Sequence, residues 1–351
     1  MSKIRVLAIP SDSHGVGKYR VLDPFKFIGN KHSDEIHVDI VMNLEDNDSV
    51  FDNYDVVVFH SFIHMAPHER NLERIEWLKK RGIKVVMDID DFWNVDQRHP
   101  MYEQIKKQNI AEKKVLFLKA ADYVTELMKS GIEFIQNQYK DKSQFVLCGF
   151  DLRGSVHEID RATGNVTQRP ILPHETVWSK YESIFTSGYK VLEPDHKNFL
   201  LSYVQSDYPT MDVPYLRRWT QDINKYALNY NYFDVSLAPL VDSYFNSCKS
   251  QLKVIEAGFH KKAIIASENM PYTLDLVSAV DEGKFKDGGN ALVVSSRKNH
   301  KDWAKHMKRL IDNPNMIEDL GNRLYETVKD KYALKNVCAD RVQFLKSIVN
   351  K

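Results

Sequence analysis

Between residues 4 and 91, short apolar runs alternate with a segment of helical periodicity. IRVLAIP (4–10), IHVDIVM (36–42), YDVVVFHS (54–61) and IKVVMDIDD (83–91) are brief and rich in valine and isoleucine, the pattern of strands buried on both faces of a parallel sheet. Over 69–81, Leu72, Ile75 and Leu78 share one helical face. Alternating strand and helix is the signature of a doubly wound α/β sheet. A further helix is predicted over 101–121, then the strand DYVT (122–125), one helix and the strand QFVLCGF (144–150), with no linker between them.

The same pattern returns near the carboxyl end. DVSLAPL (234–240) and AIIAS (263–267) have the composition of buried parallel strands, and the helix between them carries Leu252, Ile255 and Phe259 on its apolar stripe. NALVVS (290–295) predicts a last strand; 300–314 and 316–334 predict amphipathic helices, and 336–348 a terminal one. Between the halves, 154–173 is a polar excursion in which DRATGN predicts a hairpin turn. Helices are predicted over 177–186 and 197–203, and 214–231 is rich in aromatic residues and arginine.

A chain of 351 residues exceeds the usual single core, so two domains are expected. Lysine plus arginine (49) balances aspartate plus glutamate (48), which argues against bulk nucleic-acid binding. The three cysteines, Cys148, Cys248 and Cys338, are far apart and form neither a zinc pattern nor a disulfide framework, as befits a reducing cytoplasm. No apolar run reaches transmembrane length, and the first residues read as strand and loop rather than as a signal peptide. A soluble cytoplasmic protein is expected, with contact at a membrane surface left open.

Candidate chemistry gathers at strand ends. After DVSLAPL comes the polar loop DSYFNSCKS (242–250), then a helix amino terminus, the place where open α/β sheets bind anions. Ser250 is read as the N-cap, Lys249 as a partner for a phosphate or diphosphate, and Glu256 as acceptor for a pair of ribose hydroxyls. The plain alternative is a solvated Lys249 and a Glu256 that pairs with Lys253 or His260. After the first strand, Gly15, Gly17, Lys18 and Arg20 could meet a negative group or an acceptor, or could form a turn and no more; the full dinucleotide fingerprint is absent. His60, His64 and His68 are four apart, but Pro67 argues against a single helix holding a metal. Asp88, Asp90 and Asp91 read as turn-capping or hydroxyl-binding groups rather than metal ligands.

FNSCKSQLKVIEAGFHKKAIIAS, GGNALVV and DWAKHMKRLIDNPNMIEDLGNRLYETVKDKYAL resemble the carboxyl half of the family 4 glycosyltransferases, of GT-B fold, particularly phage and bacterial forms. IPSDSHGVGKYRVLDP and IKVVMDIDDFW resemble the amino-terminal domain of the same group. The resemblance implies two Rossmann-like doubly wound domains: 1–125 on the acceptor side, 126–335 binding the nucleotide-sugar donor, and a terminal helix over 336–351. It implies transfer of a sugar, with retention, to a glycan or other hydroxyl acceptor, with no cofactor and no essential metal. The implied donor set is Lys249, Ser250, Gln251, Leu252 and Glu256. Two glutamates eight positions apart mark the family; Glu256 matches the second, and Cys248 stands where the first would be. His60 or Asp90 is implied on the acceptor side, as the catalytic candidates. The junction at Thr125 to Leu127 is short, so a second domain without its opening strand is expected, either recruiting DYVTE or leaving an edge beside QFVLCGF. A catalytically weak relative that binds a nucleotide or glycan is the alternative; a sugar-nucleotide epimerase lacks a supporting constellation.

Overall fold

The computed structural model describes residues 3–126, 233–295 and 301–349 apart from isolated positions, residues 227 and 230, and the strand backbones at 144–147, 155–159, 166–170, 202–203 and 216–217. Its contacts divide the chain into two compact units. One comprises Met1–Ser155, Cys248–Ser250 and Lys331–Lys351, the other Val156–Ser247 and Gln251–Asp330.

In the first unit β1 (Ile4–Ile9) lies between β2 (Ile36–Ile40) and β3 (Val56–His60). Beyond β3 come β4 (Lys84–Ile89), β5 (Tyr123–Glu126) and β6 (Gln144–Leu147), all pairings parallel, in the order β2-β1-β3-β4-β5-β6. The sheet grows first to one side of β1 and then to the other. Order reversal at β1/β3 opens a crevice beyond the carboxyl ends of those two strands.

Helices cover the sheet because successive strand residues point to opposite faces. Leu7, Val57, Phe59, Val85 and Met87 form one buried layer, packed on Ile75 and Leu78 of α2 (His68–Lys80). The region expected as one helix over 101–121 is two, α3 (Tyr102–Lys107) and α4 (Ile110–Ala120), broken at Asn109, whose φ of 51° is left-handed. Before α1 (Asp23–Lys31), Lys18–Leu22 forms a π-helical turn that buries Arg20, Val21 and Leu22.

Two expectations about this unit are corrected. Gln144–Leu147, expected as a strand of the second domain, pairs with β5 as the recruitment of DYVTE would have it, Tyr123 opposite Gln144 and Glu126 opposite Leu147, but within the first unit's sheet. DYVTE is therefore an interior strand of the first sheet. The reason is edge satisfaction, since β6 takes up the hydrogen-bonding groups that β5 would otherwise leave open. The terminal helix, expected to stand apart, belongs to this unit as well. It packs on α1 and buries Val337, Cys338, Val342, Leu345 and Ile348, because its apolar stripe needs a cover.

In the second unit β7 (Ser155–Ile159) and β8 (Val166–Pro170) pair with each other, flanking the expected DRATGN turn. β9 (Ser202–Tyr203) and β10 (Leu216–Arg217) also pair. The expected helices over 177–186 and 197–203 lie outside the described residues. β11 (Val235–Ala238), β12 (Ala263–Ser267) and β15 (Leu292–Val294) form a parallel sheet, and β13 (Val280–Asp281) and β14 (Lys284–Phe285) a small hairpin. Among the described residues four α-helices belong with the sheet: α5 (Tyr244–Ser247), α6 (Leu252–Phe259), α7 (Lys301–Asp312) and α8 (Asn315–Val328). Val235, Ile265, Leu292, Trp303 and Leu310 make its core. α8 comes so close to the turn before β12 that a Cβ at Gly321 would stand 2.1 Å from the Lys261 carbonyl oxygen. Among the described residues no helix is long and apolar enough to cross a membrane.

Candidate functional site

The crevice beyond β1 and β3 holds a hydrogen-bond chain that ends at His60. Ser11 and Asp12 follow β1, and His60 is the last residue of β3. The backbone N–H groups of Gly15 and Gly17 donate to the Asp12 carboxylate, Gly17 at 2.9 Å. The loop therefore does not present these donors to an outside anion; its own aspartate occupies them. A Cβ at Gly17 would meet the Asp12 backbone nitrogen at 2.5 Å, which explains the glycine. Lys18, expected in the acceptor loop, is tied to Asp23 at 2.6 Å.

Arg20, expected in the same loop, is turned inward, and its side chain has no contact with solvent. Its guanidinium grips Asp88 with two hydrogen bonds, one from Nε and one from Nη2 at 3.0 Å. Thr125 donates its hydroxyl to the same carboxylate at 2.6 Å, and Arg341 lies 3.7 Å away. Burial alone would raise the Asp88 pKa, but the guanidinium groups of Arg20 and Arg341 outweigh it and hold the carboxyl below its ordinary value. Asp88 and Arg20 thus form a structural ion pair beneath the crevice.

His60 and Asp90 are brought together. The imidazole Nε2 lies 3.7 Å from Asp90 Oδ1, and each atom is buried without a hydrogen-bond partner among the described residues. On its other side His60 Nδ1 is 2.6 Å from Ser11 Oγ, which lies 2.9 Å from Asp12 Oδ2. Burial is the main influence on His60 and lowers its pKa, with the charges of Asp90 and Asp88 opposing. Lys114 on α4 is half-buried, with its ammonium 5.1 Å from the centre of the Trp93 ring. Burial pulls its pKa down to about 8 against the charge of Asp90. Asp91, raised by burial, lies 3.4 Å from the Lys249 ammonium. The third expected histidine, His68, sits at the start of α2 against Phe117, at 4.5 Å between ring centres, and His64 lies outside the described residues. Among the described residues no group of three metal-ligating side chains occurs.

Of the expected donor residues, Lys249 and Ser250 fall in the first unit and Gln251, Leu252 and Glu256 in the second, and most are turned inward. Gln251, not Ser250, occupies the N-cap of α6, and no side chain bonds to the cap. Ser250 is buried, Gln251 donates to Asp275 at 3.2 Å, and Leu252 is part of the core. Glu256 accepts a hydrogen bond of 2.9 Å from the Tyr230 hydroxyl, and Lys253 lies 3.9 Å from it. The Tyr230 ring stacks on His260 with 4.7 Å between centres. A separate cavity of about 570 Å³, lined by Asp281, Lys286, Asp302, Lys305, His306 and Arg309, contains none of the expected residues.

Sequence reasoning missed Ser11, Asp12, Lys114 and Tyr230. For Asp12 a signal existed, since an aspartate just ahead of closely spaced glycines is suited to bind their backbone N–H groups. For Lys114 and Tyr230 no local pattern marks the role.

No protein-family model matches the sequence, and a search of curated proteins finds no match. Solved structures do match. Sucrose-phosphate synthase from Thermosynechococcus elongatus superposes with a TM-score of 0.64 at 13% identity, over 100% of both chains. HepE of Anabaena, solved in complex with UDP-glucose, gives 0.56 at 10% identity over 98% of this chain and 100% of its own. WaaG, a glycosyltransferase involved in lipopolysaccharide biosynthesis, gives 0.50 at 11% identity over 97% and 99%. The fold is that of the GT-B glycosyltransferases, as the sequence resemblance led us to expect.

Proposed function

We propose that this chain is a glycosyltransferase that passes a sugar from a nucleotide-sugar donor to a hydroxyl acceptor, with retention and without an essential metal. A shared fold does not by itself assign a reaction, so the reading rests on the site. The observation that carries it is the pair of buried polar atoms, His60 Nε2 and Asp90 Oδ1, that have no hydrogen-bond partner among the described residues, near the switch point of the first sheet. Such a pair suits a ligand that brings hydroxyl hydrogens. Sucrose-phosphate synthase and the UDP-glucose-bound HepE share the fold across nearly the whole chain, which supports a nucleotide sugar as donor. On this reading Lys249 meets the diphosphate and Glu256 the ribose, with Ser250, Gln251 and Leu252 shaping the helix start between them.

A second reading is favoured by a specific observation. Glu256 is already engaged by Tyr230, and buried Cys248 replaces the family's first glutamate, so a protein that binds nucleotide or glycan with little turnover fits too. The test is incubation of the full chain with UDP-, GDP- and ADP-sugars, with and without EDTA, measuring nucleotide release and calorimetric binding. Turnover that survives EDTA is expected. Turnover restored only by manganese overturns metal independence; binding without turnover establishes the second reading; no binding to any donor removes both.

A further inference from the structure

His60 can serve as a proton acceptor only if Nε2 carries a lone pair, and the hydrogen-bond chain behind it decides that. Asp12 receives two backbone N–H bonds, an arrangement that favours the ionised carboxylate, and an ionised carboxylate accepts but never donates. Ser11 has one hydroxyl hydrogen, and at 2.9 Å from Asp12 Oδ2 it must donate it there. Its oxygen can then only accept from His60 Nδ1 at 2.6 Å. The other hydroxyl near Nδ1, that of Ser61, is at 3.5 Å, too far to compete. The proton of the neutral imidazole therefore sits on Nδ1, since the bond made by one ring nitrogen sets the state of the other.

We infer that Ser11 and Asp12 are positioning residues that fix His60 in the Nδ1–H tautomer, so that Nε2, beside Asp90, is the proton acceptor for the substrate hydroxyl. This rests on the glycosyltransferase reading above. Nε2 and Asp90 Oδ1, 3.7 Å apart, are two acceptors: one ligand hydroxyl donates its single hydrogen to Nε2, and a second donor is needed for Asp90. In the transfer step the acceptor oxygen forms its bond to the anomeric carbon on the same face from which the diphosphate departs, so that configuration is retained, while the bond from that carbon to the diphosphate oxygen breaks. The diphosphate leaves with the electron pair, and the hydroxyl proton passes to Nε2. The resulting imidazolium is met by Asp90 and, more distantly, Asp88, while Lys114 and Arg20 oppose it. It returns its proton to solvent after release.

The test is long-range ¹H–¹⁵N correlation on the full chain labelled at histidine, above the titration of His60, with His60→Gln assigning the resonance. Nε2 of His60 is expected unprotonated in the wild type, protonated in Ser11→Ala, and unprotonated again in Ser11→Thr, which keeps the hydroxyl. kcat is expected to fall at least ten-fold in Ser11→Ala with KM little changed, and to recover in Ser11→Thr. A proton on Nε2 in the wild type overturns the proposal, as does a Ser11→Ala spectrum identical to wild type. If no nucleotide sugar is turned over, the catalytic role falls with the functional reading, while the spectrum still decides the tautomer without any turnover. A circular dichroism melt of Ser11→Ala identifies a variant that fails to fold, and Asp12→Asn then supplies the same spectroscopic comparison.

Discussion

Arg20 and Asp88, 68 residues apart in sequence, form a bidentate ion pair with both side chains fully excluded from solvent. Such a pair contributes less through its own attraction than it costs to break, because the surviving charge stays buried. Arg20→Met should destabilise the protein by about 3 kcal/mol, the lower end of that cost, since Thr125 and Arg341 still face the carboxylate. Urea unfolding checks it, and a loss below about 1 kcal/mol would mean that Arg341 takes over the pairing.

The same carboxylate predicts an acid limb of stability. Its folded pKa lies below the ordinary 3.8, so its contribution is complete above that value and disappears as pH falls through the lowered one. Unfolding midpoints should hold from pH 7 to about 4.5 and fall below that. In Asp88→Asn the stability should be lower throughout and the limb shallower. An equal acid slope in both proteins would assign the limb to other carboxylates.

At Gly17 a methyl group would meet backbone atoms of Asp12 and Ser11 at 2.5 and 2.7 Å, and backbone yields less readily than a side chain. Gly17→Ala should therefore cost about 1–3 kcal/mol in thermal or urea unfolding. It should also displace Asp12, and with it the Ser11–His60 contact, so any turnover should drop with it. Wild-type stability in Gly17→Ala would show that the loop can move aside.

Glu256 offers a test of the donor side. Glu256→Ala should weaken nucleoside diphosphate binding by about 1–3 kcal/mol in calorimetry, through loss of a charged acceptor for the ribose hydroxyls. Tyr230→Phe removes the hydroxyl that holds the carboxylate and should weaken binding less, because the acceptor remains. Unchanged affinity in Glu256→Ala would leave the residue as the partner of Tyr230 and Lys253 and nothing more.

The strands and helices that carry the fold were readable from the sequence because each local pattern reports how its own residues are buried. Valine-rich runs such as 56–60 and 263–267 are buried whichever neighbour they pair with, so their existence needed no tertiary information. Which sheet a strand joins is a different matter. Gln144–Leu147 reads the same beside either sheet, and only its pairing with Tyr123–Glu126 placed it in the first. The site divides in the same way. Sequence singled out His60 and Asp90 near strand ends and Glu256 on a helix as chemically able groups, but a residue's type states what it can bond and not what stands beside it. Arg20 looked like a loop cation until Asp88 drew it inward. The role of Ser11 depends on β1 lying next to β3, which brings residues 49 apart to 2.6 Å. Periodicity encodes exposure, whereas partners are set by chain crossings that bring distant segments together, and those only the tertiary structure decides.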